Sequence, residues 1–183
     1  MTLVWGPDVN LDDLDKIIEQ STTSAFRLET LPQYLVPQPN GGYTAWREAK
    51  PLAPRTPETL PWMAEMKRQI DAGYRQYRVH IVDYPLSDYT RYELLAYLDN
   101  QAVGEEIHIA ERDAHSELRD LHEDFWLYDD EIAVRMIYDD KGHFLYPEMI
   151  GDVRPYRIMR DTAMRHAEPL DDYLARVKPK LTI

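Results

Sequence analysis

Residues 77–94 read Tyr77-Arg-Val-His-Ile-Val-Asp-Tyr-Pro-Leu-Ser-Asp-Tyr-Thr-Arg-Tyr-Glu-Leu94, and the change of period inside this stretch decides the fold. From Tyr77 to Val82 the side chains alternate, which is the period of a strand. Pro85 stops the ladder. Ser87 is placed to cap a helix over Asp88–Gln101, with Asp88 at its positive end. Tyr89, Tyr92, Leu95 and Leu98 recur every third residue, and Leu94 and Tyr97 widen that face. Gly104 follows, and Ile107 and Ile109 alternate in a second strand over Glu105–Ala110. Strand, helix and strand in this succession predict a right-handed βαβ crossover.

The pattern continues towards the C-terminus. Residues 111–123 are charged and read as helix. Asp124–Tyr128 and Ile132–Tyr138 read as strands, separated by Asp129-Asp130-Glu131. Asp139-Asp140-Lys141-Gly142 is a turn signal, with glycine where a positive φ is needed, and His143–Tyr146 returns as a hairpin strand. Asp152–His166 and Leu170–Val177 read as two helices split by Pro169. Towards the N-terminus, Asn10 is placed to cap a helix to Gln20, with Leu11, Leu14, Ile17 and Ile18 on one stripe. Seven of the 13 prolines then fall between Pro32 and Pro61. Proline lacks a ladder donor and restricts its predecessor, so this stretch reads as an ordered arm, with a short helix near Tyr43–Ala49 and another over Trp62–Ala72. The expectation is a single-domain α/β fold: a mixed sheet with a βαβ crossover and a C-terminal hairpin, flanked by helices. It divides into an N-terminal helix (1–23), a proline-rich ordered arm (24–61) and an α/β body (62–183).

Composition narrows the function. The chain has 183 residues, 44% hydrophobic and 30% charged, an ordinary globular balance. With no cysteine, disulfides, thiolate zinc sites, iron–sulfur clusters and cysteine nucleophiles are excluded together. The net charge of −12 repels phosphate backbones, so no direct nucleic-acid binding is expected. No apolar run is long enough for a membrane span, and the first residues lack the basic and apolar regions of a signal peptide. The expected location is the cytoplasm. No Gly-x-Ser-x-Gly elbow and no glycine-rich phosphate loop occurs, so no nucleotide or other cofactor is expected.

In an open α/β sheet, ligands gather beyond the carboxyl ends of parallel strands. The first strand runs out into Asp83, the second into Glu111 and Arg112, and the third into Asp129 and Asp130. If the three are parallel, these tips meet at one edge, beside Arg91 and Glu93 of the crossover helix. Tyrosine is the unusual count, 13 residues, and Tyr89 and Tyr92 lie near the same edge. Tyrosine and tryptophan carry contact area with a polar tip and suit pockets and interfaces. The candidate ligand- or partner-binding residues are therefore Asp83, Tyr89, Arg91, Tyr92, Glu93, Trp126, Asp129 and Asp130. No metal site is expected, because the paired acids sit in turn signals and lack the spacing of a calcium loop. His115 and His122 would lie about 10 Å apart along a helix, too far to share an ion. His80 and His108 lie on neighbouring strands, where they could approach each other.

The segments Ser24–Pro37, Tyr77–Leu94 and Asp124-Phe-Trp-Leu-Tyr-Asp-Asp130 together resemble an uncharacterised actinobacterial family with one domain of unknown function. The resemblance runs from about Ser24 to Val177 and implies a small accessory protein near helix-turn-helix regulators. A fainter likeness, carried by strand–helix–strand followed by Phe125–Val134, is to one half of a phospholipase D-like domain. Active members carry His-x-Lys on the equivalent strand, which here holds neither residue, so the likeness implies a binding domain without that chemistry.

The function expected from all this is non-enzymatic: an interaction or ligand-sensing protein, an accessory of a transcription-regulatory module. An acidic surface suits a protein partner that is basic, such as a helix-turn-helix regulator. The alternative is a hydrolase or transferase using the acids at 83 and 129–130, with a divalent metal.

Overall fold

The computed structural model describes residues 16–17, 19–35 and 41–177. Its strands are β1 (Ser24–Glu29), β2 (Arg75–Val82), β3 (Glu106–Glu111), β4 (Phe125–Tyr128), β5 (Ile132–Tyr138), β6 (Phe144–Ile150) and β7 (Glu168–Pro169). They form one seven-stranded mixed sheet in the order β6-β5-β4-β1-β2-β3-β7. The helices are α1 (Gly41–Arg47), α2 (Pro61–Asp71), α3 (Asp88–Ala102), α4 (Ser116–Arg119), α5 (Arg154–His166) and α6 (Leu170–Val177). Of the expected first helix, Lys16, Ile17, Glu19 and Gln20 are helical, and the remainder of Asn10–Gln20 lies outside the described residues.

The βαβ unit forms as its sequence pattern dictates. β2 and β3 are parallel neighbours, with Val79 opposite His108 and His80 opposite Ile109. Ser87 caps α3 by accepting a hydrogen bond from the Thr90 N–H at 2.9 Å. The helix ends at Ala102, and the chain turns away through Gly104, whose φ of +107° is costly for any residue with a Cβ. Because neighbouring residues across a parallel pair share a face, His80 and His108 point to opposite faces and do not approach each other.

The sheet departs from expectation at two places. First, Ser24–Glu29 is not part of an arm. It is the central strand β1, parallel to β2 on one side and antiparallel to β4 on the other. Second, β4 is not a third parallel strand beside β2 and β3. It pairs only with β1 and β5, antiparallel to both, with Leu28 opposite Phe125 and Ala25 opposite Tyr128. Asp129 and Asp130 hold left-handed φ values of +52° and +61°, which fold the chain straight back from β4 into β5. The β5–β6 hairpin then follows as expected. Residues 112–119 form only a 3-10 turn and the single turn α4, rather than one helix.

Alternation along β1, β2 and β4 builds two unlike faces. Phe26, Leu28, Tyr77, Val79, Ile81, Phe125 and Leu127 enter one apolar core with Leu118, Tyr156 and Ala163 of α4 and α5. Each such side chain contributes about 1.5–3 kcal/mol by leaving water. The intervening residues Arg27, Glu29, Arg78 and His80 point to the other face, under α3. There Arg27, Glu29 and His80 are buried, so this face of the core carries charge and polar groups among its apolar side chains. No helix among the described residues is long and apolar enough to cross a membrane.

Candidate ligand-binding site

The buried charges of the second face form one connected cluster. Arg27 sits between Trp126 of β4 and Arg78 of β2 in the strand register. Its Nη2 donates to Asp124 at 2.8 Å and its Nε lies 3.6 Å from Glu29. Arg78 bridges Glu29 at 2.9 Å and Glu105 at 2.6 Å. Asp124 also accepts from Thr30 N, Thr30 Oγ1 and Tyr34 OH, at 2.9, 2.6 and 2.6 Å, so both its oxygens are used. Buried charges persist only where paired in this way, because an unpaired one costs several kcal/mol.

Tyr97, His80 and Glu93 continue the cluster upward from the sheet into α3. The Tyr97 hydroxyl donates to Glu29 at 2.6 Å. His80 Nε2 lies 3.3 Å from the Leu31 carbonyl, which assigns the proton of a neutral ring to Nε2 and leaves Nδ1 as an acceptor. Nδ1 lies 3.1 Å from Tyr97 OH, whose proton is committed to Glu29, and 3.4 Å from Glu93 Oε2. That last approach lacks hydrogen-bond alignment, and Glu93 Oε2 is a buried oxygen without any hydrogen-bond partner.

The electrostatics follow from the packing. Burial pushes the Glu29 carboxyl up, but Arg78 and Arg27 outweigh it, and the pKa is held at about 2. Glu93 goes the other way. Burial and the neighbouring Glu29 charge raise it well above the ordinary range, and the two guanidiniums only partly offset this. Burial lowers His80, against the pull of Glu29 and Asp124. Glu29 is thus an anion, Glu93 a neutral acid and His80 a neutral ring over a shared pH range.

Glu93 opens onto a cavity. A space of about 280 Å³ is walled by Tyr89, Tyr92, Glu93 and Tyr97 of α3, and by Arg55, Trp62 and Arg78 opposite. A second space, about 440 Å³, shares Trp62 and Arg78 and continues past Trp126 and Tyr128. Residues 89, 92, 93, 96, 97 and 100 line the first space together, one stripe of a helix at three- and four-residue steps. Thirteen per cent of the Glu93 side chain is exposed, whereas His80 is sealed below it. A groove of about 380 Å³ near the Tyr138–Gly142 turn also reaches Asp124, whose oxygens are already spent.

The family model described as a domain of unknown function, DUF6879, matches residues 12–175. The chain belongs to the DUF6879 family. No curated protein matches it. All seven strands of this DUF6879 domain and the α3 wall of the cleft lie inside the match.

Four of the eight candidates named from sequence come together in the DUF6879 domain. Tyr89, Tyr92 and Glu93 line the first space, and Trp126 lines the second, under the Arg27 guanidinium at 5.7 Å. Arg91 is on α3 but outside the lining, with its Nε buried and unbonded. The acids do not converge. Asp83 ends β2 and pairs with Arg112 at 2.8 Å. The antiparallel course of β4 carries Asp129 and Asp130 to the opposite pole of the sheet. There Asp129 accepts from the backbone N–H groups of Thr22, Thr23 and Ser24, which holds its pKa at about 2 despite partial burial. Asp130 pairs with Arg160. Sequence reasoning missed Arg27, Glu29, Arg78 and Asp124 as one cluster. The available signal was a charged residue at alternate positions of apolar strands, in Phe26-Arg27-Leu28-Glu29 and Tyr77-Arg78-Val79-His80.

Proposed function

We propose that this DUF6879 protein binds a small organic ligand, without chemistry, in the cleft under α3, and that occupancy of the cleft is what it signals. One observation carries the reading: the cavity wall holds a buried carboxyl oxygen, Glu93 Oε2, that nothing in the protein hydrogen-bonds. Native cores leave few such groups unpaired, and each costs about 1–3 kcal/mol. Its aromatic neighbours Trp62, Tyr89 and Tyr92 offer the contact area of a ligand pocket. His80, the base nearest the cleft, is sealed from it, which favours binding over catalysis. The acids of a hydrolase reading, at 83 and 129–130, are separated by the antiparallel β4. Among the described residues no group of three or more His, Asp or Glu side chains could hold a metal ion.

The readout we assign to a protein partner in a transcription-regulatory module, a basic helix-turn-helix regulator. Helical geometry sets Leu95 and Leu98 on the side of α3 turned away from the cleft, and both are exposed. The net charge of −12 favours a basic partner. The test is a thermal-shift screen of small metabolites against the protein and its Trp62→Ala and Tyr92→Ala variants. A ligand at about 100 times its Kd stabilises by about 2.7 kcal/mol, or roughly 5–10 °C for a chain of this size. Hits absent from both variants support the reading. A library that shifts nothing, or shifts all three proteins equally, overturns it.

A further inference from the structure

We infer that the cleft takes an organic monocation, carrying an ammonium or amidinium group, and that Glu93 gives up a proton to receive it. The inference rests on the cleft being a ligand site. It comes from the charge inventory of the cluster. The cations that touch the cleft or the network below it are Arg27, Arg55 and Arg78. The acids are Glu29, Glu93, Asp99, Glu105 and Asp124. Each guanidinium is already committed: Arg27 to Asp124, Arg55 to Asp99 at 3.3 Å, and Arg78 to Glu29 and Glu105. Glu93 is the acid left without a cation of its own, since His80 beside it is buried and neutral.

Five acids thus face three guanidiniums, and the acid that lacks an ion pair with any of them is the one at the opening to the cavity. In the empty protein a proton on Glu93 fills that gap, in keeping with its raised pKa. A ligand cation would fill it better, because an ammonium N–H can donate to Glu93 Oε2, which has no bond now. Arg55 and Arg78 in the wall do not forbid this, since their charges are spent on carboxylates at 3.3 Å or less. Tyr89, Tyr92 and Trp62 line the same space as Glu93, and aromatic faces attract cations. An anion would meet Glu93 and guanidiniums already facing carboxylates, with only the Arg55 Nε–H, which makes no hydrogen bond, to receive it. A neutral ligand would leave the Glu93 proton in place.

The groups facing Glu93 are Glu29 and Arg27 from β1, Arg78 and His80 from β2, Asp124 from the start of β4, and Tyr89 and Tyr97 from its own helix. Of these, Arg78 and Arg27 hold Glu29 ionised and burial disfavours a charge on His80, so a released proton is assigned to Glu93, and its loss in Glu93→Gln checks the assignment. Affinity for a monocation should then rise with pH, by up to tenfold per unit, until Glu93 ionises without the ligand.

The experiment is calorimetric titration at pH 6 with three probes of one shape: phenethylammonium, 2-phenylethanol and phenylacetate. Each is run in two buffers of different ionisation enthalpy, which counts protons released. The expected result is binding of phenethylammonium at least tenfold tighter than either rival, with a measurable release of protons. Glu93→Gln should cut that affinity at least tenfold and abolish the release, while its melting temperature shows that it is folded. If 2-phenylethanol or phenylacetate binds as tightly, or Glu93→Gln binds the amine unchanged, the monocation inference is overturned and the ligand site stands. If none of the three binds at millimolar concentration, and the metabolite screen is also silent, both fall.

Discussion

Glu93→Gln should stabilise the empty protein at pH 8 and change nothing at pH 4. The side chains match in shape, so the swap removes ionisation and little else. In the wild type the folded-state pKa of Glu93 is raised, by burial first and by Glu29 second, above the value of 4.5 for a free carboxyl. A raised pKa means the carboxyl's contribution to stability is fully present below the unfolded value and is lost as pH rises through the folded one. The penalty is therefore absent near pH 4 and largest in alkali. Its size is that of a buried, unbonded oxygen, about 1–3 kcal/mol, of which an amide in the same place recovers part. A gain of about 1 kcal/mol at pH 8 is the result. With a urea m-value of about 2 kcal/mol/M, the midpoint moves up by about 0.5 M. Urea denaturation followed by circular dichroism at pH 4, 6 and 8 would measure it. A variant less stable than wild type at pH 8, or a difference that does not change with pH, would refute the reasoning. Then Glu93 would be a structural member of the network rather than a group kept at a cost to stability for binding.

Asp124→Ala should be severe, because it strips Arg27, Thr30 and Tyr34 of one shared acceptor inside the core. The expected loss is about 3–5 kcal/mol by urea denaturation, and Arg27→Met with Asp124→Leu should recover most of it. Asp129→Ala should cost about 1 kcal/mol, after allowing for solvent screening, by freeing the N–H groups of Thr22, Thr23 and Ser24. Its contribution is present above the free-carboxyl value of 3.8 and fades as pH falls towards about 2, so wild type and variant should converge in acid melts. Ligand binding by Asp129→Ala should be unchanged. Gly142→Ala should lower stability by about 1–3 kcal/mol, because Gly142 holds φ +88° and a Cβ there would press on the Gln33 carbonyl. A melting temperature equal to wild type would contradict that.

The parts of the fold that are legible in sequence are those whose hydrophobic period is local. The alternation of Tyr77–Val82 and the Ser87 cap specify the βαβ unit locally, whereas the three-residue stripe drawn on α3 does not hold, since Leu95 and Leu98 are exposed while Tyr89, Tyr92, Leu94 and Tyr97 are buried. β1 is different. Ser24–Glu29 is short, abuts the prolines, and interleaves Phe26 and Leu28 with Arg27 and Glu29, a pattern that looks half-exposed. It is central only because Asp124, Arg78 and Tyr97 arrive from distant segments to pair those charges. The direction of β4 was illegible for a related reason. It depends on which neighbour the strand finds, and that neighbour was β1. Tyr89, Tyr92 and Trp126 could be reached from aromatic content, and Glu93 from its place at the start of the crossover helix. Arg27 and Asp124 could not, since a buried ion pair 97 residues apart leaves no local trace.

Crystallographic fragment screening would test the central claim most directly, since it reports where small molecules settle on the whole surface. Bound fragments should cluster between Trp62 and the Tyr89–Tyr92–Glu93 stripe of α3, with amine-bearing ones placing nitrogen within about 3 Å of Glu93 Oε2. Fragments that settle elsewhere and leave that cleft empty would contradict the account.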